Sequence, residues 1–579
     1  MLNRAEVITL SDSTWPNVMR APYSAKGDGQ ISSAGSIIAG SNVLTDTSCP
    51  YTALDVGKTV YVVGAGVSGT VLQTTIASYR AQDMVLLSAA APTTVASAEV
   101  VWGTNDYAAF RAAIAAATNG TVAVPPAAKT FYLIDNGVND APSNYFGFTG
   151  SHLSIRGADR DSTVLRFGPE GLVTNTGQSN AFAIGASQVL IFQDLTLQGP
   201  DNLGGGGPPS DIPGGWQAGQ GGLGACGELR SGNASDGVRF INCHVKHFVG
   251  QGVGHGFLEA FSSTFEGYGT NYASMGPFAG DDGSSGYSPT KHVILDRCIV
   301  KSFGDPAGGV YYHSMYVGTS HDIQINATEF RSPATGATGN MVQHYDSNVA
   351  LANAGRHAEY VNCHFAPGTQ SGVLTSYNCV TKLVGCTMSN LTNYGILIAG
   401  PVIIDGLDTT LNSNLPGITT TTQAQASGLD WGLQLDNSRI EFLNGVAAVG
   451  VDVEHARSSA TEFAIDGGTV FEGATGKAGI YVRLGNVSAR VEVGRVIFRG
   501  SPAQATRGQT GTLSLHGCRF ETTGGQSLWA TGEALALLTV TDCEFAGTDS
   551  FLISTAPREI ISERNYGPGW TVSNSDANR

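Results

Sequence analysis

Between residues 254 and 346 the chain gathers groups that can move protons: His255, Lys291, Tyr312, His313, Tyr316 and His344, with the carboxylates Asp281, Asp282, Asp305 and Asp346. His, Tyr, Lys and carboxyl groups serve as general acids or bases when placed at a reacting centre. A repeated phrase places several of them: HGFLEAF (255–261), HSMYVGT (313–319), GNMVQHYD (339–346), SGVLTSY (371–377), YGILIAG (394–400), WGLQLDN (431–437) and AGIYVRL (478–484). Its third position is always apolar, so strand alternation predicts that this position faces inward and the first, fourth and sixth face outward. On that count His255, His313, Tyr316 and His344 share one exposed face.

Two chemistries fit this inventory. β-Elimination beside a carboxylate needs a base for the carbon-bound proton, an acid for the leaving oxygen and a neutraliser for the carboxylate. His313 is expected as the base and Tyr316 as the acid, with His255, Lys291 or a cation at Asp281 and Asp282 as the neutraliser. Tyr312, His344, Asp346, Asp305, Trp216 and Tyr287 are expected to line the groove, the aromatics by stacking on sugar faces. Hydrolysis needs two carboxyl groups about 5–10 Å apart, for which Asp281, Asp282, Asp305 and Asp346 are available. The phrase GDDGSSG otherwise reads as a solvated turn, or as a Ca2+ site; no cofactor is required.

The elements that must hold these residues announce themselves by repetition. FINCHV, LDRCIV, YVNCHF, LVGCTM, LHGCRF and VTDCEF put Cys243, Cys298, Cys363, Cys386, Cys518 and Cys543, six of nine cysteines, in one column. Leu195, Ser263, Thr328, Thr469 and Val496 continue it, in steps such as 243 to 263, 298 to 328 and 363 to 386. Repeats of this length mark a solenoid whose units bury apolar faces only by stacking, and strand-like units make it a parallel β-helix. The cysteine column reads as a buried ladder of small side chains rather than a metal or redox centre, and no C-x-x-C pair argues for zinc.

Composition agrees. The 579 residues include 77 glycines, only 13% are charged and 41% are apolar, which suits stacked strands and tight turns and excludes disorder. A net charge of −16 argues against nucleic acid as a partner. The N-terminal MLNRAEVITLSDSTWP lacks a signal-peptide core, and no stretch is apolar for long enough to insert in a membrane. The Gly-rich run at 204–207 is no phosphate loop, since no P-loop lysine follows it.

Near the N-terminus, Thr104-Asn105-Asp106 followed by YAAFRAAIAAA and Asn119-Gly120 predicts a helix, expected to cap the open end of the solenoid. AKGDGQ (25–30), NDYAAFRAAIAAATNGTVAVPP (105–126) and SHLSIRGADRDSTVLRF (151–167) resemble the N-terminal signature of the pectate-lyase-like β-helix superfamily. That group includes phage tailspikes and polysaccharide-degrading enzymes. The resemblance implies a right-handed single-stranded parallel β-helix; the stretch between its first two segments, with DVGKTVYVVGAG and MVLLSAA, reads as a small β insertion. GDDG and the GHG at 254–256 resemble motifs of polygalacturonase-type hydrolases in reversed order, so those roles are not carried over.

The expected organisation is a leader (1–20), the start of the cap (21–30), the β insertion (31–102), the β-helix (103–565) and a tail (566–579). Long insertions at 198–235, 267–291, 302–312 and 331–358 interrupt the repeat and are expected to wall one groove. The expected function is extracellular polysaccharide degradation by a secreted or virion-associated protein, a lyase before a hydrolase. A non-catalytic glycan-gripping fibre or adhesin is the alternative. The chain is expected to act as a monomer or, by the tailspike resemblance, a homotrimer, with a polysaccharide as its partner.

Overall fold

A computed structural model describes residues 14–48, 50–135, 146–167, 182–183, 188–199, 237–249, 251–253, 257–268, 277–279, 292–302, 315–317, 322–331, 340–344, 357–366, 372–377, 379–391, 394–412, 415–420, 432–443, 449–453, 462–473, 478–482, 490–500, 504–508, 511–522, 526–530, 535–547, 550–553, 559–567 and 572–574. The chain divides into two compact units, Met1–Pro277 and Phe278–Arg579.

The first unit opens with strands β1 (Gln30–Ile37), β2 (Val43–Asp46), β3 (Thr59–Val62), β4 (Leu72–Ala81), β5 (Met84–Leu87) and β6 (Val95–Gly103). They close into an antiparallel barrel in the order β1-β2-β5-β4-β3-β6, filled by Leu44, Val60, Val62, Ile76, Val85, Val100 and Trp102. Helix α1 (Tyr107–Ala116) follows and buries Phe110, Ala113 and Ile114. The N-terminal cap is the barrel, which corrects the expectation of a capping helix. The reason lies in its outward residues: Tyr61 and Val101 pack on Phe131 and Leu133 of the first rung.

The segments that flank the barrel meet again at its base. Lys26 and Gly27 donate their backbone N–H groups to Asp106 at 2.7 and 2.9 Å. Asp28 accepts the Thr104 N–H at 2.7 Å and pairs with Lys58 Nζ at 2.7 Å. Gly29 permits this closure, because a Cβ there would stand 2.3 Å from the Phe131 ring.

Each rung then repeats one design. In the first unit, Thr121–Val124, His152–Gly157, Val189–Gln193, Gly237–Ile241 and Phe257–Phe261 stack in parallel as a first sheet. Tyr132–Ile134, Val164–Phe167, Thr196–Gln198, His244–Val249 and Thr264–Tyr268 form a second. In the second unit the first sheet runs from His292–Asp296 to Glu559–Glu563 and the second from Ile299–Ser302 to Glu544–Phe545. A third runs from Met315–Val317 to Val572–Asn574. This is the parallel β-helix expected from the repeat.

The cysteine column occupies the corner between the first and second sheets. The preceding residue is left-handed, as in Asn242 (φ 51°), Asn362 (φ 53°) and Asp542 (φ 56°), which turns the chain in one residue. The next side chain points into the core, and all six column cysteines are buried. Ser or Thr serves there because its hydroxyl accepts the amide N–H of the column residue one rung earlier. Ser263 does so for Cys243 at 3.0 Å and Ser438 for Leu407 at 3.0 Å.

Candidate functional site

Backbone register decides which side chains reach the surface, and it redistributes the repeated phrase. Phe257–Phe261 and Gly432–Asp436 belong to the first sheet, whereas Met315–Val317, Asn340–His344, Gly372–Tyr377, Tyr394–Ala399 and Ala478–Val482 belong to the third. Residues around His255 and around His313 therefore precede different sheets. Within the third sheet Met315 pairs with Val342, Val342 with Leu374 and Leu374 with Ile396, so the aligned position is Val342 rather than Met341. A slip of one residue reverses every face of a strand.

His344 shows the consequence. Two residues beyond Val342, it is 0% exposed and shares a 2.6 Å hydrogen bond with the hydroxyl of Tyr360, itself 0% exposed. Burial holds the Tyr360 hydroxyl protonated far above its ordinary range, and the imidazole tautomer sets which of the two groups donates. His344 thus joins the first and third sheets through the core, which corrects its expected place in an exposed groove. Tyr316 lies in Met315–Val317, its backbone paired with Gln343. His255, Lys291, Asp281, Asp282, Tyr312, His313, Asp305, Asp346, Trp216 and Tyr287 lie outside the described residues.

The outer face of the first sheet in the second unit carries a constellation the sequence reading missed. His292 pairs in register with Asp322, and Asp322 with His357, on three consecutive rungs. The alternate residues Val293, Leu295, Ile323, Ile325, Ala358 and Tyr360 are buried, so the two imidazoles and the carboxylate stand outward. His357 Nε2 approaches Asp322 Oδ1 to 2.9 Å, without the alignment of a hydrogen bond. Gln324 Nε2 donates to Asp322 Oδ2 at 3.1 Å. Two positions along, Gln324 pairs with Glu359 and Glu359 with Lys382, whose Nζ lies 2.9 Å from Glu359 Oε1.

A usable signal existed. His292, Asp322 and His357 each stand six residues before a column residue, Cys298, Thr328 and Cys363. Counting back from the corner finds them; counting from the apolar third position of the other phrase does not. Imidazoles on either side of a carboxylate supply a proton acceptor and a proton donor near neutral pH. Among the described residues no group of three or more His, Cys, Asp or Glu side chains is arranged to hold a metal ion.

In the first unit a second polar column runs along the second sheet: Arg166, Gln198, Lys246 and Glu266 are in register. Arg166 is buried against Glu99 of β6 at 3.0 Å, and His244 Nε2 lies 2.8 Å from Glu266 Oε1. Burial holds the Lys246 ammonium below its ordinary range.

No family model matches the chain, and no curated protein matches it. Among solved structures it is similar to the catalytic unit of a thermostable GH87 alpha-1,3-glucanase from Streptomyces thermodiastaticus strain HF3-3, at 12% identity over 96% of this chain and 89% of that one, TM-score 0.32. A tailspike protein mutant of E. coli bacteriophage HK620 matches at 9% identity over 80% and 76%, TM-score 0.40. PfbA, a surface adhesin of Streptococcus pneumoniae, matches at 11% identity over 81% and 90%, TM-score 0.29. At these identities and TM-scores the likeness carries no argument about what this chain does. The parallel β-helix implied by the repeat and by the N-terminal segments is the fold observed.

Proposed function

We propose that this chain binds a polysaccharide along the outer face of its β-helix and cleaves it, as a lyase acting on a uronate-containing glycan. The observation that carries the reading is the outward His292–Asp322–His357 column. His357 takes the C5 proton, and the Asp322 carboxylate beside it stabilises the charge that builds on the ring. The electrons of the broken C–H bond form the C4–C5 double bond as the C4–O bond breaks. Tyr316, six residues before Asp322 on the same turn, is proposed as the acid for the leaving oxygen, and Lys291, next to His292, as the neutraliser of the uronate. Rungs about 4.8 Å apart bring successive strands to successive parts of a sugar chain.

A second reading uses carboxyl groups alone. Asp322 and Glu359 lie one rung and two residues apart on the same face, about 8 Å from spacing and rise, inside the range of an inverting hydrolase. The test incubates the protein with acidic and neutral polysaccharides and follows both ultraviolet absorbance and reducing ends. Absorbance rising with reducing ends supports elimination; reducing ends alone support the Asp322–Glu359 hydrolase. Silence in both, with binding intact, supports the adhesin. For a lyase, His357→Ala and Asp322→Asn are expected to lower turnover by about 10²–10⁴ while the glycan still binds.

A further inference from the structure

The corner column contains two couples of cysteines that are neighbours from one rung to the next. Val361 pairs with Val384 and His364 with Thr387, which sets Cys363 against Cys386. His516 pairs with Thr541 and Arg519 with Glu544, which sets Cys518 against Cys543. All four are at most 1% exposed. The thiols donate to main-chain carbonyls of the same corner, Cys363 to Ile325 at 3.3 Å, Cys386 to Tyr360 at 3.4 Å, Cys518 to Val493 at 3.4 Å and Cys543 to Thr541 at 3.4 Å. Adjacent strands lie about 4.8 Å apart, inside the Cα separation of about 4.4–6.8 Å that a disulfide spans. Cys243 and Cys298 have the same corner geometry but face Ser263 and Thr328, so neither has a thiol beside it on the next rung.

We propose that Cys363–Cys386 and Cys518–Cys543 are redox-convertible dithiols that close into disulfides crossing one rung of the β-helix. The oxidant is a small-molecule disulfide. One protein thiolate attacks it to give a mixed disulfide and a free reagent thiol; the neighbouring thiolate then displaces the second reagent thiol. Two protein thiols are oxidised and one external disulfide is reduced, and the two protein thiol protons end on the two reagent thiols. Burial shields the folded thiols, and the solitary Cys243 is pushed up to about 12 by it, so exchange proceeds while rungs assemble or open. Each bridge closes a short loop and constrains the unfolded chain. The first joins the rung that begins with His357 to the one that carries Lys382.

The test refolds the full chain with oxidised glutathione, quenches in acid, alkylates free thiols and maps the peptides. The expected result is Cys363 linked to Cys386 and Cys518 to Cys543, each bridge lighter by two hydrogens, with Cys243 and Cys298 alkylated. The oxidised form should melt at a higher temperature and revert with dithiothreitol. Cys363→Ser should abolish the first bridge and leave the second. Alkylation of all four cysteines after oxidative refolding overturns the proposal, as does bridging of Cys243 or Cys298 at the same frequency. If the serine variant does not fold, the wild-type peptide map decides alone.

Discussion

At the scale of single residues, the difference between His344 and His357 is one of register. Both are histidines in short strands after a long connection, yet one is sealed in the core and the other is more than half exposed. Tyr360→Phe removes the buried hydroxyl that His344 meets, which is expected to cost about 1–3 kcal/mol in denaturant unfolding. Turnover per folded molecule should stay unchanged; a large loss would return His344 to the site. Asp106 offers a pH test. Burial, the largest influence, pushes its carboxyl up to about 6 from an ordinary 3.8, against the pull of the Lys26 and Gly27 amides. A carboxyl raised on folding binds its proton more tightly in the folded state. Its contribution to stability is therefore full below about pH 4 and is lost as pH rises through about 6, a swing of about 3 kcal/mol. Urea unfolding of wild type and Asp106→Asn from pH 4 to 7 should show this difference, and a flat difference would remove the assignment.

At the scale of elements, the barrel is fastened to the first rungs by buried polar contacts as well as by apolar packing. Arg166 pairs with Glu99 of β6 at 3.0 Å with its guanidinium 5.5 Å over the Phe131 ring, and Tyr61 Oη donates to Asp135 at 2.5 Å. Burial already holds the Glu99 carboxyl above its ordinary range despite this arginine. Arg166→Ala leaves a buried carboxylate without its cation and is expected to cost about 3–5 kcal/mol. Hydrogen exchange should quicken first in β6 and Val164–Phe167; unchanged protection there would show that apolar packing alone holds the barrel. The corner was the element most legible in the sequence, because a left-handed residue followed by a buried one recurs there, with cysteine in that place six times. The third sheet was least legible, since its strands follow connections of variable length that shift the count.

At the scale of the whole molecule, stability within each compact unit is distributed among stacked rungs. Phe471, Phe498, Phe520 and Phe545 stack face to face at 5.5, 4.9 and 4.8 Å, a ladder inside the second unit. Phe498→Ala is expected to cost about 3–5 kcal/mol, confined to neighbouring rungs. Hydrogen exchange should accelerate in Val470–Gly473 and Arg519–Thr522 and stay unchanged in the barrel; a uniform acceleration would mean that the stack unfolds as one. Outside, Arg439, Arg499 and Arg519 interleave with Asp408, Glu441, Glu472, Glu521 and Glu544 across successive rungs. Each exposed pair contributes at most about 1 kcal/mol.

Read alone, the amino-acid order determined the period, the cysteine corner, the β insertion and hence the parallel β-helix, because stacking in register stamps one residue type on one column. It also gathers His, Tyr, Lys and Asp residues able to transfer protons between 254 and 346. Only the tertiary structure decided which phrase belongs to which sheet, that His344 is core, and that His292, Asp322 and His357 stand together. Those outcomes depend on hydrogen-bond register between distant strands, and a shift of one residue, invisible to composition or periodicity, exchanges the inside of a sheet for its outside.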